Sequence, residues 1–402
     1  MTRIEYNIEE NSTWYNIDGN ANRYMILMNM SERCNLDCIY CYEHNKQGRD
    51  VNLRKALSKL DKILLRLGNT TDLIIQFSGG EPLLVFESIK EIYTHVSHHY
   101  IDNGDWQGDI KFGVSTNGAL LTTNMKKWFK QHPRFSLALS FDGTPEAHNK
   151  NRCGSYDAIA KNFDFFRRYK IPVKMTIGPQ SISDCAAGIK HIHSLGFEST
   201  ANLVFEDVWG DQEARRRYLQ VFAEQLSELV AFYAENFALP RSTLIMPLIG
   251  NLSTNQNHPY ERNCGLGKTI TVIDIDGEEY PCHRFTPMSN NRPLKKIDFG
   301  TVSVKPLKCA TCPVLAMCPG CGGYNYEYYG DINKKTIFHC EFFLLQVRSA
   351  AILTFRDIER IKTNVGLDHL SENQKIIINQ RLHSALFAEE YTRPLYLSLM
   401  HT

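Results

Sequence analysis

No apolar run in this chain of 402 residues approaches the ~20 residues that a membrane-spanning helix needs. The opening MTRIEYNIEE has neither a basic stretch nor an apolar core, so it does not read as a secretory signal. Charge of one sign is also lacking: 45 Lys and Arg against 44 Asp and Glu leave a net +1, too little to draw the chain to nucleic acid or an anionic membrane. Low-complexity tracts are absent. These absences predict a cytoplasmic protein with neither a nucleic-acid nor a membrane partner. In that compartment thiols stay reduced, and clustered cysteines mean metal binding or catalysis rather than disulfides.

Cysteine is what the chain has in quantity. Ten of its twelve cysteines fall into two groups. Cys34, Cys38 and Cys41 form a C-x3-C-x2-C triplet within CNLDCIYC. Three thiolates hold three corners of a [4Fe–4S] cube and leave the fourth iron open to something other than protein. A structural zinc site needs four ligands, usually in two close pairs, and no further cysteine pair follows for some two hundred residues. Zinc with His44 as fourth ligand is the competing reading. The second group is Cys264, Cys282, Cys309, Cys312, Cys318, Cys321 and Cys340, with C-x2-C-x5-C-x2-C inside it. On its own it suits either iron–sulfur clusters or zinc.

From residue 24 to 205 strand-like and helix-like segments alternate, the pattern of βα units on a parallel sheet. Strands are predicted at Tyr24–Asn29, Leu73–Phe77, Ile110–Val114, Ser136–Phe141, Val173–Ile177 and Asn202–Phe205. Leu53, Ala56, Leu57, Leu60, Ile63, Leu64 and Leu67 make a helical stripe, as do Tyr156, Ile159, Phe163 and Phe166. A long helix is predicted over 211–237. Val272–Ile275 with the Asp276-Gly277 turn predicts a hairpin delivering Cys282. Ser371 and Gln374 form a capping-box signal ahead of a helical tail.

Four turns follow predicted strands: the cysteine loop, Gly79-Gly80-Glu81-Pro82, Ser115-Thr116-Asn117-Gly118, and Ser140-Phe141-Asp142-Gly143 with His148 and Arg152 beyond. In this order, and with Tyr40 inside the triplet, they resemble the radical SAM enzymes. The second group resembles the SPASM domain of peptide and protein maturases, whose pattern is C…G-x4-C, then C-x2-C-x5-C-x3-C, then C. Gly277 to Cys282 matches G-x4-C, while the spacing before Cys321 is one residue short.

The resemblance implies an α/β fold: a partial (β/α)6 TIM-type barrel, a small cysteine-rich SPASM domain and a helical tail. Its divisions would be an N-terminal extension 1–23, barrel 24–240, SPASM domain 241–345 and tail 346–402. It implies three [4Fe–4S] clusters: a SAM-binding one on Cys34, Cys38 and Cys41, and two auxiliary ones, on Cys309, Cys312, Cys318 and Cys340 and on Cys264, Cys282 and Cys321. S-adenosyl-L-methionine would meet Tyr40, Gly79, Gly80, Glu81, Pro82, Ser115, Asn117, Ser140, Asp142 and Arg152, with Ser140 and Arg152 holding its carboxylate and Glu81 its amine. One-electron cleavage would yield a 5′-deoxyadenosyl radical that abstracts hydrogen from the substrate. Implied partners are a precursor peptide or protein, a one-electron reductant such as flavodoxin or ferredoxin, and a separate leader-binding protein, since only a short stretch precedes the first strand. Sulfatase-maturing relatives carry an Asp base just after the G-x4-C cysteine, where this chain has His283, able to act as a base near neutral pH, followed by Arg284; these two are the candidate catalytic residues. That substitution favours a maturase that installs a thioether or carbon-linked crosslink in a ribosomal peptide over one that forms formylglycine. An iron–sulfur sensor without turnover is the third reading. The Tyr324, Tyr326, Tyr328, Tyr329 strip serves SPASM packing or a peptide groove, Cys185 is a packed thiol, and Cys153 lies near the expected mouth.

Overall fold

The structure, a computed structural model, describes residues 23–245 and 264–400 apart from 296, 298 and 300–304. The expected N-terminal extension therefore lies almost wholly outside the described residues.

Six parallel strands follow one another: β1 (Arg23–Ser31), β2 (Asp72–Gly79), β3 (Ile110–Thr116), β4 (Phe135–Leu139), β5 (Val173–Ile177) and β6 (Ser199–Leu203). Strands β1 to β4 pair in chain order, β5 pairs with β6, and a parallel bridge between Ser140 and Lys174 ties the two sets together. This is an α/β arrangement in which each strand feeds a helical connection. One face of each strand packs under helices. Leu73, Ile75 and Phe77 of β2 and Ile110, Phe112 and Val114 of β3 share a core with Leu60 and Ile63 of the helix Leu53–Leu67. That helix begins at Asn52, whose side chain accepts from Lys55 N.

Two local expectations are corrected. The sixth strand runs from Ser199 to Leu203 instead of from Asn202 to Phe205, because register with β5 pairs Val173 with Ser199 and Ile177 with Leu203; Val204 N makes the last bond to β5, donating to Ile177 O at 2.9 Å. The stripe from Tyr156 to Phe166 is two short helices, Tyr156–Ala160 and Phe163–Arg167. Asn162 sits between them and donates to Gly118 O at 2.8 Å, a tertiary bond that takes precedence over helix continuity.

The second half joins the first at a strand. The hairpin β7 (Ile270–Ile273) and β8 (Glu279–Tyr280) turns at Gly277, whose φ is +78°, and β7 pairs in parallel with β1. The six-stranded sheet thus reads β4-β3-β2-β1-β7-β8. The helix Cys340–Asn364 runs through the expected boundary at 345, so cysteine region and tail are continuous. The final helix, Glu372–Met400, starts with a formed capping box: Gln374 N donates to Ser371 Oγ at 3.2 Å and Ser371 N to Gln374 Oε1 at 3.0 Å. Among the described residues no helix is long and apolar enough to cross a membrane.

Candidate active site

The loop after β1 carries the cysteine triplet, and the glycines after β2 hold it in place. Gly80 N donates to Ser31 O and Glu81 N to Arg33 O, each at 2.8 Å. A Cβ on Gly80 would lie 2.2 Å from Arg33 O, and Gly79, at φ +95°, would meet Ser31 O at 2.8 Å. Only glycine allows this approach. In the described contacts these glycines meet the cysteine loop's backbone.

Glu81 is fully buried and ties three segments together. Its carboxylate accepts from Leu83 N at 3.0 Å, Thr116 Oγ1 at 2.8 Å and Asn117 N at 2.8 Å. Burial pushes its pKa up to about 7 against those three bonds. Thr116 and Asn117 end β3, so Glu81 locks the β2 and β3 loops to each other. Asn117 in turn donates to Asn35 Oδ1 at 2.8 Å and lies 3.9 Å from Cys34 Sγ. Pro82 starts the following turn and is buried.

Asp142 is the second hub. Fully buried, it accepts from Tyr40 OH, from Asn151 Nδ2 at 3.2 Å, from Arg152 Nε at 3.0 Å and from Thr176 N at 3.0 Å. Arg152 caps the helix Pro145–Asn151 and lies over the Tyr40 ring at 5.4 Å. Its Nη1 stands 3.8 Å from Cys38 Sγ, leaving one edge of the guanidinium turned to the cysteine loop. Burial opposes its charge, but Asp142, Tyr40 and Cys38 outweigh that and hold its pKa above the ordinary value. His148 supports Asp142 from behind, accepting from Asp142 N at 3.2 Å.

The three thiols of the triplet face one another electrostatically. Burial pushes Cys38 up to about 11; Arg152 offsets this in part, while Cys41 and Cys34 add to it. Cys34 is raised chiefly by burial too. Lys46 Nζ stands 3.2 Å from Cys41 Sγ, a cation with no signal in the sequence. Mutually repelling, half-buried thiols beside cations are a donor set suited to a cationic metal centre. Among the described residues no three His, Cys, Asp or Glu side chains close on a point as one ion requires; a multi-iron cube spreads its thiolates wider than the ~2.3 Å bonds of a single zinc would. Cys153 donates to Asp37 O at 2.9 Å and so clamps the cysteine loop, while Cys185 is buried in the core.

All seven cysteines of the second group line one cavity of about 440 Å³, together with His283, Arg284, Lys335 and Tyr391. They lie in two sets. Cys282 feels Cys321 and Cys264; Cys340 feels Cys312, Cys318 and Cys309. The four-cysteine set is walled by Val314, Met317, Phe343 and Val347, with Ala385 and Ala388 of the last helix behind them. Tyr391 of that helix stands 3.9 Å from Cys312 Sγ, a contact no motif announces.

Between the two cysteine sites lie His283 and Arg284. Arg284 is paired with Glu206 at 2.5 Å and stacks 4.2 Å over Tyr42, next to Cys41. Its guanidinium thus braces the two halves. His283 packs against Tyr42 with ring centroids 5.3 Å apart, and its buried Nδ1 has no hydrogen-bond partner. Burial first, then Arg284 and Lys174, push its pKa down to about 4, so it is a neutral imidazole. Ser115 Oγ accepts from Gln76 Nε2 and from Lys174 Nζ, each at 3.1 Å. Ser140 continues β4 toward Asp142 and bridges to Lys174. Tyr324 and Tyr326 are buried and Tyr328 is exposed, so that strip mainly packs.

Residues 28–187 match the sequence model of the Radical SAM superfamily, and the chain carries a domain of that superfamily. It is similar to a cysteine-type anaerobic sulfatase-maturating enzyme of Clostridium novyi, 30% identical over 37% of this chain and 41% of that protein. It is also similar to the antilisterial bacteriocin subtilosin biosynthesis protein AlbA of Bacillus subtilis, 25% identical over 64% of this chain and 54% of that one. The chain spans about half, or less, of the length of the first curated relatives it matches. The solved structure of anSMEcpe with bound AdoMet and Cp18Cys peptide shares the fold, with TM-score 0.58, 19% identity and coverage of 85% of this chain and 99% of that one.

Proposed function

We propose that this radical SAM superfamily enzyme is a maturase that abstracts hydrogen from a peptide and installs a thioether or carbon-linked crosslink. Three [4Fe–4S] clusters would be held by Cys34, Cys38 and Cys41, by Cys264, Cys282 and Cys321, and by Cys309, Cys312, Cys318 and Cys340. The observation that carries the reading is the guanidinium of Arg152: anchored by buried Asp142, it turns Nη1 toward Cys38 Sγ. When bound, the first cluster and S-adenosyl-L-methionine supply reductive sulfonium cleavage and a radical at the 5′ carbon. The protein's own residues do the rest. Arg152, with Ser140, receives the methionine carboxylate by a charge-assisted pair. Glu81, through Thr116 and Asn117, fixes the loop that frames the nucleoside. The seven-cysteine cavity supports auxiliary clusters that would take up the electron released by the oxidised substrate, from a position reached through the Tyr42–Arg284–Glu206 brace.

The Clostridium relative supports the second reading, formylglycine formation on a sulfatase. His283 in place of an acidic base weighs against it. The products separate the two: formylglycine made from cysteine expels the sulfur, whereas a crosslink keeps it and loses only hydrogen. For the core reading, reduced and anaerobically reconstituted protein should convert S-adenosyl-L-methionine to 5′-deoxyadenosine, and Cys34→Ala should abolish this. Unchanged deoxyadenosine from Cys34→Ala would rule out the triplet's role.

A further inference from the structure

Strand β5 carries a cation that the reading above leaves unused. Val173, Met175 and Ile177 are buried in the core, so Lys174 and Thr176 lie on the opposite face. Lys174 Nζ reaches Ser115 Oγ at 3.1 Å, although β4 separates their strands. A contact that skips a strand requires the sheet to curl around this face, which is therefore the inner one. Gln76 completes the layer by lying over Gly113, where a Cβ would come within 2.1 Å of its Oε1. The strand's height is fixed from both sides of Lys174: Phe141 N donates to Lys174 O at 2.9 Å, and Thr176 N to Asp142 Oδ1 at 3.0 Å. Asp142 also holds Arg152, so the ammonium is set at a defined place relative to the cysteine loop.

Its charge is unmatched. Arg152 has Asp142 and Arg284 has Glu206, but among the described residues no carboxylate pairs with Lys174. Protein crowds the side chain enough to push its pKa down, while water reaches it from the inner face. His283, already in the field of Arg284, lies in the field of Lys174 as well. An ammonium held at a fixed place on this inner face with only neutral partners is open to pairing with an arriving carboxylate.

We propose that Lys174 anchors an acidic side chain of the substrate peptide and so selects peptides with an aspartate or glutamate beside the residue that reacts. The proposal rests on the peptide-maturase reading and adds a specificity residue to it. Two pools of synthetic peptides, blocked at both ends, test it: each carries Cys or Ser among random neutral residues, and they differ only in one Asp against one Asn. Binding is read by fluorescence anisotropy on the cluster-loaded, SAM-bound protein. The Asp pool should bind about tenfold more tightly, the scale of one charge-assisted hydrogen bond. Lys174→Met should remove the preference and Lys174→Arg should retain most of it; Lys174→Gln replaces the Met variant if that one fails to fold. Equal binding of the two pools by the unaltered protein, none included, overturns the proposal, as does a preference that survives Lys174→Met. A tenfold loss of S-adenosyl-L-methionine affinity in Lys174→Met with no change in peptide preference assigns the cation to the cosubstrate and also overturns it. Failure of the unaltered protein to form any deoxyadenosine sinks the functional reading instead, and that result is separate from the binding comparison.

Discussion

His148 is held neutral by its bonds as well as by its surroundings. Its Nδ1 accepts from Asp142 N, and the Nε2–H faces Ser155 Oγ at 3.0 Å. A proton on Nδ1 would break the first bond. Burial, with Arg152 next in weight, lowers its pKa from 6.5 to about 4. Between those values the unfolded chain binds more protons than the folded one, so stability is full above the upper value and falls as pH drops through the lower. The loss from this one side chain amounts to about 3 kcal/mol. Denaturant titrations of the cluster-free protein at several pH values across that window should show it. His148→Asn, which keeps an acceptor near Nδ1 but cannot titrate, should be less stable at neutral pH and depend less on pH. An unchanged pH slope in the variant would place the titrating group elsewhere.

At the scale of elements, the glycines after β2 act on the cysteine loop. Gly80→Ala would press a methyl against the backbone carbonyl of Arg33, which cannot rotate away as a side chain could. The expected cost is about 1–3 kcal/mol, borne by the loop. Reconstituted Gly80→Ala should therefore lose the iron of the first cluster and keep that of the second cysteine region, as judged by metal analysis and absorption spectra. Retention of full iron with normal deoxyadenosine formation would show that the loop tolerates the push. Elements of this kind were legible in the residues where the signal is local. Alternation located β5 to the residue, and Ser371 with Gln374 announced its cap. The pairing of β7 with β1 was not legible, because strands some 245 residues apart leave no local trace of their register. The same holds within the site. Cysteine spacing and turn motifs point to a cluster and its cosubstrate because that chemistry demands particular residue types. Lys174 in an alternating strand reads as an ordinary solvent-facing lysine, and only the curl of the sheet turns it inward. The pairing of Arg284 with Glu206 is equally silent, since the two lie 78 residues apart with no motif to mark them.

Over the whole molecule, two cysteine sites are joined by one sheet and one ionic brace. The β7–β8 hairpin extends the first sheet and delivers Cys282, while Arg284 links Tyr42 of the first loop to Glu206 after β6. The final helices close the far side: Cys340 begins one, and Tyr391 on the other reaches Cys312. This layout separates the tasks. Arg152, Asp142 and Glu81 all lie on the first sheet's loops, so on the proposed reading S-adenosyl-L-methionine would be bound and cleaved without Cys309. Removing Cys309 takes one thiol from a four-thiol set that is walled off by Val314, Met317 and Phe343. Cys309→Ala should therefore lower the iron content from about twelve per chain toward about eight, the difference of one four-iron cluster. Deoxyadenosine formation should persist at a substantial fraction of the unaltered rate, while modified peptide, followed by mass spectrometry, disappears. Loss of both activities together would mean that the second region holds the first site in shape. Unaltered product would mean that the cluster on Cys309 lies outside the path of the departing electron.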